Sequence, residues 1–200
     1  MPAQEIDDWH RCFIALEPDA ATRAVFATMP VGSAQRRVSV DQLHLTLAFL
    51  GSVPPAQGEQ LAQALPGVVA PLPPLAIQGS EYWPNATHPR LVVVSFEESE
   101  PMTQFEARVR ALVLAHGLPV DDHRAFRPHV TLARLSRDRR PASRIGTADA
   151  KAALSTTFEV RGGTSAQVLA RFDRLTLYSS TLARHGARYR AIASAPVPAC

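Results

Sequence analysis

The sequence His44-Leu45-Thr46-Leu47 recurs later in the chain as His129-Val130-Thr131-Leu132, in the order histidine, apolar residue, threonine, apolar residue. Successive side chains of a β-strand point to opposite faces, so each histidine shares a face with its threonine while the apolar pair faces a core. Two such strands beside one cleft would present two imidazoles and two hydroxyls to a small ligand. The repeat therefore predicts a fold of two similar halves with a site between them.

Around each motif the sequence predicts the same succession of strand, helix and strand. In the first half the predicted elements are a strand over residues 11–17, a helix over 20–28 and a strand over 43–50; in the second half they are 90–96, 100–116 and 129–135. The other predicted elements are strands over 36–40, 75–83, 158–161, 166–179 and 187–192, and a helix from Pro54-Pro55 to Leu65. The long strand 166–179 is expected to turn or bulge near Phe172-Asp173. This alternation predicts an α+β fold of two similar lobes.

Composition excludes several classes of protein. A chain of 200 residues with 46% hydrophobic and 20% charged residues is typical of a globular domain, not of a disordered, collagen-like or coiled-coil protein. The absence of a long apolar run and of an apolar leader, together with only two cysteines, predicts a cytoplasmic location. Lys151 is the only lysine among 21 basic residues. This arginine bias suits a phosphate ligand, but the codon bias of a GC-rich genome is the favoured explanation.

The paired motifs are suited to phosphodiester chemistry. One histidine can take a proton from water or a sugar hydroxyl, and the other can protonate the leaving oxygen on the opposite side of phosphorus. The hydroxyls of Thr46 and Thr131 can donate to the phosphate oxygens, where negative charge accumulates. A single motif would be explained as well by a strand histidine bonded to a neighbour. Two motifs at corresponding points of two half-chains favour a functional site.

The similarity to a known family extends over nearly the whole chain. The sequence resembles the 2H phosphoesterases, and among them the bacterial RNA 2′,3′-cyclic phosphodiesterases first described as 2′-5′ RNA ligases. The matching stretches are Arg11-Cys-Phe-Ile-Ala-Leu, Leu43-His-Leu-Thr-Leu-Ala-Phe-Leu-Gly51, Arg90-Leu-Val-Val-Val, Arg124-Ala-Phe-Arg-Pro-His-Val-Thr-Leu-Ala-Arg134, Leu175-Thr-Leu-Tyr-Ser-Ser180 and Gly186-Ala-Arg-Tyr189. The resemblance implies one bilobal domain over residues 1–200, with two pseudo-symmetric antiparallel sheets lining a central cleft and helices outside.

The resemblance also implies an activity. It is the hydrolysis of RNA 2′,3′-cyclic phosphate ends to 2′-phosphomonoesters without a metal or cofactor, and in reverse a slow, ATP-independent 2′-5′ ligation. On this basis His129 is the general base, His44 is the general acid, and Thr46, Thr131 and Arg134 hold the phosphate. Arg134 shares that face only if it lies beyond the strand end or after a bulge, and a structural salt bridge would explain it equally well. The expected partner is such an RNA end or a small cyclic nucleotide, with no membrane and with the chain as a monomer.

Other residues are candidate contacts to the base or the RNA. Tyr82 and Trp83 end a predicted strand and could stack on a nucleobase or pack at the sheet edge. His88 and Arg90 are expected to flank the cleft, and Phe126 could contact a base or fill the core. The arginine-rich residues 137–144 are expected to form a loop that guides an RNA strand.

Three alternative interpretations remain at this point. A metal hydrolase would use the same histidines as ligands, but neither motif supplies further ligands at close spacing, and Asp41 lies on the opposite strand face from His44. A non-catalytic RNA-binding module would use the arginine-rich loop and the aromatic residues. The same fold could also act on ADP-ribose 1″,2″-cyclic phosphate or on a 2′-5′-linked oligonucleotide.

Overall fold

The computed structural model describes residues 9–32, 35–120, 125–135, 167–183 and 186–200. The strands in these ranges are β1 (Cys12–Pro18), β2 (Gln35–Arg37), β3 (Leu45–Gly51), β4 (Leu75–Trp83), β5 (Leu91–Phe96), β6 (His129–Leu135), β7 (Leu169–Ala170), β8 (Phe172–Ala183) and β9 (Gly186–Pro196). The α-helices in the same ranges are α1 (Ala20–Thr28), α2 (Pro55–Ala64) and α3 (Glu100–Ala115). None of these helices is long and apolar enough to cross a membrane.

The strands form one antiparallel sheet whose order repeats from its centre outward. The order is β7-β4-β5-β6-β3-β1-β8-β9, with β2 beside β6. In one half β3 is followed outward by β1 and β8, and in the other half β6 is followed by β5 and β4. Helix α1 connects β1 to the β2–β3 region, and α3 connects β5 to β6. The predicted α+β fold with two similar halves is confirmed, and the two half-sheets join through a single residue pair, Leu45 and Val130.

One face of the sheet forms the hydrophobic core together with the helices. Ile14 and Leu16 of β1 belong to this core, as do Val92 and Val94 of β5 and Phe105 of α3. Burying a side chain of this size contributes about 1.5–3 kcal/mol. The alternate residues of β1 and β5 lie on the other face, and that face carries the histidine motifs.

The helix ends follow the expected capping chemistry. Asp19 Oδ1 accepts the Thr22 backbone N–H at 2.7 Å, and α1 has the predicted bounds of residues 20–28. Ser99 Oγ accepts the Met102 N–H at 3.4 Å at the start of α3. Gly117, just past α3, has a φ of +68°, which glycine adopts without steric cost.

Some predicted boundaries differ from the structure. The residues predicted as strand 36–40 form only the short β2, because a 3₁₀ turn at Val40–Gln42 intervenes before β3. The long tail strand breaks at Arg171, whose backbone N–H donates to Thr22 Oγ1 at 2.9 Å instead of joining the sheet. The predicted strand 158–161 and the arginine-rich residues 137–144 lie outside the described residues.

Candidate functional site

The sheet register brings the two histidine motifs together. Leu45 of β3 is paired with Val130 of β6 in an antiparallel arrangement. Leu45 and Val130 both belong to the hydrophobic core, as do Leu47 and Leu132. Strand alternation therefore turns both histidines and both threonines to the face away from the helices. We call this face the cleft face.

Each imidazole is held by a backbone carbonyl two residues earlier in the chain. Nδ1 of His44 lies 2.7 Å from the Gln42 carbonyl oxygen, and Nδ1 of His129 lies 2.8 Å from that of Arg127. Because a carbonyl oxygen only accepts, Nδ1 carries the proton in both rings. Nε2 is therefore the nitrogen that can exchange a proton with a ligand in both halves of the site.

The surroundings favour the neutral form of both histidines. Burial lowers the pKa of His44, and the positive charges of Arg134 and His129 lower it further, against the raising effects of the Gln42 hydrogen bond and of Glu17. Burial likewise lowers the pKa of His129, with the Arg127 charge acting in the same direction. Both pKa values start from 6.5, so at neutral pH each free imidazole is mainly a base.

A bulge in β6 turns Arg134 onto the cleft face. Val93 and Val92 of β5 are paired with Thr131 and Ala133, so Leu132 is an extra residue between them. The pairing of Leu91 with Arg134 then returns Arg134 to the face of Thr131. From this position the positive charge of Arg134 lowers the pKa of His44. The sequence predicted that Arg134 shares the face of His129 only beyond the strand end or after a bulge. The structure has the bulge.

The same bulge occurs in β3 and turns Phe49 onto the cleft face. Ala15 and Ile14 of β1 are paired with Thr46 and Ala48, so Leu47 is the extra residue. Phe49 is therefore the counterpart of Arg134, and its side chain is 64% exposed. Its ring centroid lies 6.2 Å from that of Phe13, a buried neighbour on the same face. The cleft face thus carries an exposed aromatic ring in one half and a cation in the other.

Aromatic rings enclose His44. The centroid distances from the His44 ring are 5.0 Å to Phe13, 5.2 Å to Tyr189 and 6.4 Å to Tyr178. Phe13 and Tyr178 are stacked at 5.1 Å. These contacts remove water from around the ring, which accounts for the lowered pKa of His44.

A half-buried carboxylate organises the residues next to His44. Glu17 Oε1 accepts hydrogen bonds from Thr176 Oγ1 at 2.5 Å and from Tyr178 Oη at 2.7 Å, and Glu17 Oε2 pairs with Arg23 at 3.0 Å. Burial and this carboxylate raise the pKa of Tyr178, so its hydroxyl stays protonated and continues to donate. The negative charge of Glu17 also raises the pKa of His44, against the larger effect of burial.

His129 has different neighbours. The Trp83 ring lies 4.2 Å from the His129 ring, and the Arg127 guanidinium lies 4.6 Å from the Trp83 ring as a cation–π contact. Arg127 also pairs with Glu81 at 3.4 Å, at an exposed position. A pocket of about 250 Å³ opens here, and Trp83, Phe126 and Arg127 form part of its wall.

The predicted base contacts separate into two groups. Trp83 and Phe126 line the pocket next to His129. Tyr82 pairs with Val92 and packs against the hydrophobic core, so strand alternation turns it away from the cleft face. Arg90 directly precedes Leu91, which is the strand partner of Arg134 on the cleft face. Strand alternation therefore turns Arg90 away from the cleft face. His88 is exposed in the loop after β4, where its backbone N–H donates to Asn85 Oδ1 at 2.8 Å. Of these five residues, Trp83 contacts His129, and Phe126 lines the neighbouring pocket while also packing against the hydrophobic core.

Three residues on the cleft face did not follow from the motifs. Glu17 ends a strand of otherwise apolar residues, and a single carboxylate in such a strand was a usable signal. Phe49 was hidden by the bulge, because flat strand alternation places it with the core. Arg36 is paired with Arg134 across β2 and β6, which places two arginines together on that face.

The described residues contain no group of three or more histidine, cysteine or acidic side chains arranged to hold a metal ion. The histidines contact aromatic rings and backbone carbonyls instead. The chemistry that these groups themselves support is proton transfer beside a positively charged arginine.

Comparison with known proteins points to one family. A family model described as the 2′-5′ RNA ligase superfamily matches residues 19–181. An RNA 2′,3′-cyclic phosphodiesterase of Geobacillus stearothermophilus is 34% identical over 99 residues, which are 48% of this chain and 31% of that protein. One from Thermotoga maritima is 26% identical over 132 residues, which are 62% of this chain and 70% of that protein. The match therefore spans about a third of the first relative and more of the second.

A solved structure resembles the whole fold. The structure of E. coli LigT complexed with 3′-AMP superposes with a TM-score of 0.65 at 25% identity, and the match covers 94% of this chain and 98% of that one.

Proposed function

Because the chain belongs to the 2′-5′ RNA ligase superfamily, we propose that it hydrolyses RNA 2′,3′-cyclic phosphate ends to 2′-phosphomonoesters. The observation that carries this proposal is the pair of imidazoles on one face, each with Nδ1 bonded to a carbonyl and Nε2 left for proton transfer. The names of both sequence relatives and the 3′-AMP in the LigT structure support an RNA end as the substrate.

In the proposed reaction His129 acts as the base and His44 as the acid. Nε2 of His129 takes a proton from water, and the resulting oxygen forms a bond to phosphorus opposite the 3′ oxygen. The bond from phosphorus to the 3′ oxygen breaks, and His44 gives that oxygen its proton. Each turnover leaves His129 protonated and His44 neutral, so both exchange a proton with solvent before the next.

The hydroxyls and the arginine stabilise charge on the phosphate. Thr46 and Thr131 share the face of the histidines, and each can donate to a non-bridging oxygen. Arg134 adds a charge-assisted hydrogen bond. A phosphate paired with Arg134 would also offset the effect of that cation on the pKa of His44, which supports His44 as the protonated partner.

The charges around each ring support the same assignment of roles. In the free site the charges of Arg134 and His129 outweigh that of Glu17. Once the phosphate offsets Arg134 and His129 is neutral, Glu17 is the charge that remains, and it favours the protonated form of His44, as an acid requires. At His129 the Arg127 charge outweighs that of Glu81 and favours the neutral form, as a base requires. With the leaving oxygen next to His44, the nucleoside of the cyclic phosphate lies in that half of the cleft. The exposed ring of Phe49 lies in the same half and can stack on the base of this nucleoside.

The proposal is tested with EDTA-treated protein, nucleoside 2′,3′-cyclic monophosphates and a short RNA with a cyclic phosphate end. The products are separated as 2′- and 3′-phosphates. We expect a 2′-phosphate that forms despite EDTA and is lost in both His44→Ala and His129→Ala. No product from folded protein, or a 3′-phosphate, would refute the proposal. If the protein hydrolyses only ADP-ribose 1″,2″-cyclic phosphate, that compound is its substrate in place of an RNA end.

A further inference from the structure

The pocket next to His129 lies on the opposite side of that ring from His44. Strand β6 lies between β5 and β3 in the sheet, and His44 immediately precedes β3. The pocket is built from β4, from the end of β5 and from the residues that lead into β6. Ser95, the register partner of His129, belongs to its wall. The order across the sheet is therefore His44, His129 and pocket.

The pocket has the size and the walls of a nucleobase site. Its volume of about 250 Å³ exceeds that of one base, and the rings of Trp83 and Phe126 are in its wall together with the Arg127 guanidinium. Aromatic and guanidinium planes are the groups on which bases stack. One wall of the pocket is therefore formed by Trp83, the residue whose ring lies 4.2 Å from that of His129.

Two carboxylates and one guanidinium lie in the pocket wall, and this balance favours a neutral ligand over a phosphate. The carboxylates of Glu97 and Glu98 also line it, and both are exposed. They repel a phosphate group, and they accept hydrogen bonds from the N–H groups of a base edge. The phosphate-binding residue Arg134 belongs to the cleft face beside His44 and not to this pocket.

We propose that this pocket binds the nucleoside that carries an attacking 5′-hydroxyl, so that the enzyme has a built acceptor site for 2′-5′ bond formation. The inference rests on the proposed hydrolysis, with His129 as base. In this reaction the 5′-hydroxyl takes the place of water and gives its proton to His129. The bond from phosphorus to the 5′ oxygen forms, the bond to the 3′ oxygen breaks, and His44 protonates the 3′ oxygen. Everything attached to the attacking oxygen extends away from phosphorus, toward the pocket.

The test measures ligation and hydrolysis of the same cyclic phosphate. Enzyme, a nucleoside 2′,3′-cyclic phosphate and an excess of adenosine are incubated together, and the 2′-5′ dinucleotide and the 2′-phosphate are quantified. Gln78, an exposed residue of the pocket wall on β4, is replaced by tryptophan to fill the space. Gln63→Trp, an exposed glutamine on α2, is the matched control. We expect Gln78→Trp to lower the ratio of dinucleotide to 2′-phosphate about tenfold, with hydrolysis unchanged, while Gln63→Trp changes neither product.

The outcomes separate the subsite from the proposed function. Hydrolysis with the same product ratio in the wild type and in Gln78→Trp, or hydrolysis with no dinucleotide from the wild type, would overturn the acceptor site and leave the hydrolase intact. A wild type that makes neither product would instead overturn the proposed function. Phe126→Ala provides a second variant should Gln78→Trp not fold, and it is expected to lower the same ratio by removing a stacking ring.

Discussion

The two halves of the cleft have the same backbone and different side chains. In both, a histidine is bonded to the carbonyl two residues before it, a threonine follows on the same face, and a bulge comes next. Around His44, aromatic rings and the Glu17 carboxylate close the site. Around His129, Trp83 and Arg127 lie beside an open pocket.

On the proposed mechanism, this difference separates the features that allow proton transfer from those that assign its direction. The shared backbone makes each half able to transfer a proton at Nε2, so it cannot distinguish acid from base. In both halves an arginine lowers the pKa of the histidine more than a carboxylate raises it. The halves differ in that Arg134, next to His44, is the arginine proposed to pair with the phosphate, which leaves Glu17 as the remaining charge at that ring. The final position after each bulge also differs, with Phe49 in one half and Arg134 in the other. A repeated motif thus serves one reaction that needs two unlike partners.

Removing either histidine should produce the largest effect. We expect His44→Ala and His129→Ala each to lower kcat about 10²–10⁴-fold, the usual cost of losing an acid or a base. Both rings lie on the cleft face, so the fold should persist by circular dichroism. Steady-state hydrolysis of a nucleoside 2′,3′-cyclic phosphate measures the loss.

A substrate with a better leaving group makes the two variants differ. A phosphodiester that releases nitrophenolate does not need protonation of its leaving oxygen. We expect His44→Ala to recover most of its activity on that substrate and His129→Ala to recover none. Recovery by His129→Ala alone would reverse the assigned roles, and full activity of either variant on the natural ester would contradict the two-histidine mechanism.

Arg134 and Phe49 occupy equivalent positions in the two halves, and substituting them should affect different kinetic constants. Arg134→Leu removes a charged donor to the phosphate, and we expect a loss of about 10²-fold in kcat/KM. Because the Arg134 charge lowers the pKa of His44, the variant should also raise that pKa, which NMR titration of the ring would detect. Arg108→Leu on α3 is the control for loss of a surface charge. An unchanged rate would remove Arg134 from the site.

Phe49→Ala should have a smaller effect, expressed in binding. Loss of one base–aromatic stack of about 1–3 kcal/mol should raise KM roughly tenfold and leave kcat little changed. Phe49→Trp retains a ring and should restore KM, whereas Leu182→Ala, another exposed apolar residue, should have no effect. A loss in kcat without a change in KM would show that Phe49 does not hold the base.

The sequence was sufficient to predict the repeated unit of strand, helix and strand. It was insufficient to predict the side chains that the two bulges turn to the cleft face. Alternation within His44-Leu45-Thr46-Leu47 correctly separated the polar face from the core, and the bounds of α1 and β6 followed from Asp19 and the motif itself. Alternation fails after Leu47 and Leu132, because a bulge inserts a residue and exchanges the faces. For this reason flat alternation places Phe49 with the core. It places Arg134 on the face of His129 only if a bulge or the strand end intervenes.

Partners across the sheet were also beyond the sequence. The hydrogen bonds of Glu17 to Thr176 and Tyr178 join residues about 160 positions apart, and they depend on β1 lying beside β8. Tyr82 and Trp83 are adjacent in the chain but lie on opposite faces, so only a known register tells which one reaches His129. Local patterns predict the groups that are proposed to react, and the pairing of distant strands determines their surroundings.

The smallest predicted effect tests the difference between the halves most directly. Glu17→Gln removes a charge that raises the pKa of His44, and Glu81→Gln removes one that raises the pKa of His129, so each variant lowers one pKa. Well above pH 6.5 both rings are neutral and the rate depends on the fraction of protonated acid. Well below the two pKa values the rate depends on the fraction of neutral base.

With His44 as the acid, Glu17→Gln should lower kcat/KM several-fold on the alkaline side and leave the acidic side unchanged. With His129 as the base, Glu81→Gln should raise kcat/KM on the acidic side and leave the alkaline side unchanged. The opposite pattern would exchange the roles of the two histidines. An equal loss at every pH would mean that Glu17 acts only through its hydrogen bonds to Thr176 and Tyr178. The pH profiles of kcat/KM for the two variants therefore decide whether neighbouring charge, and not the shared backbone, gives this reaction its direction.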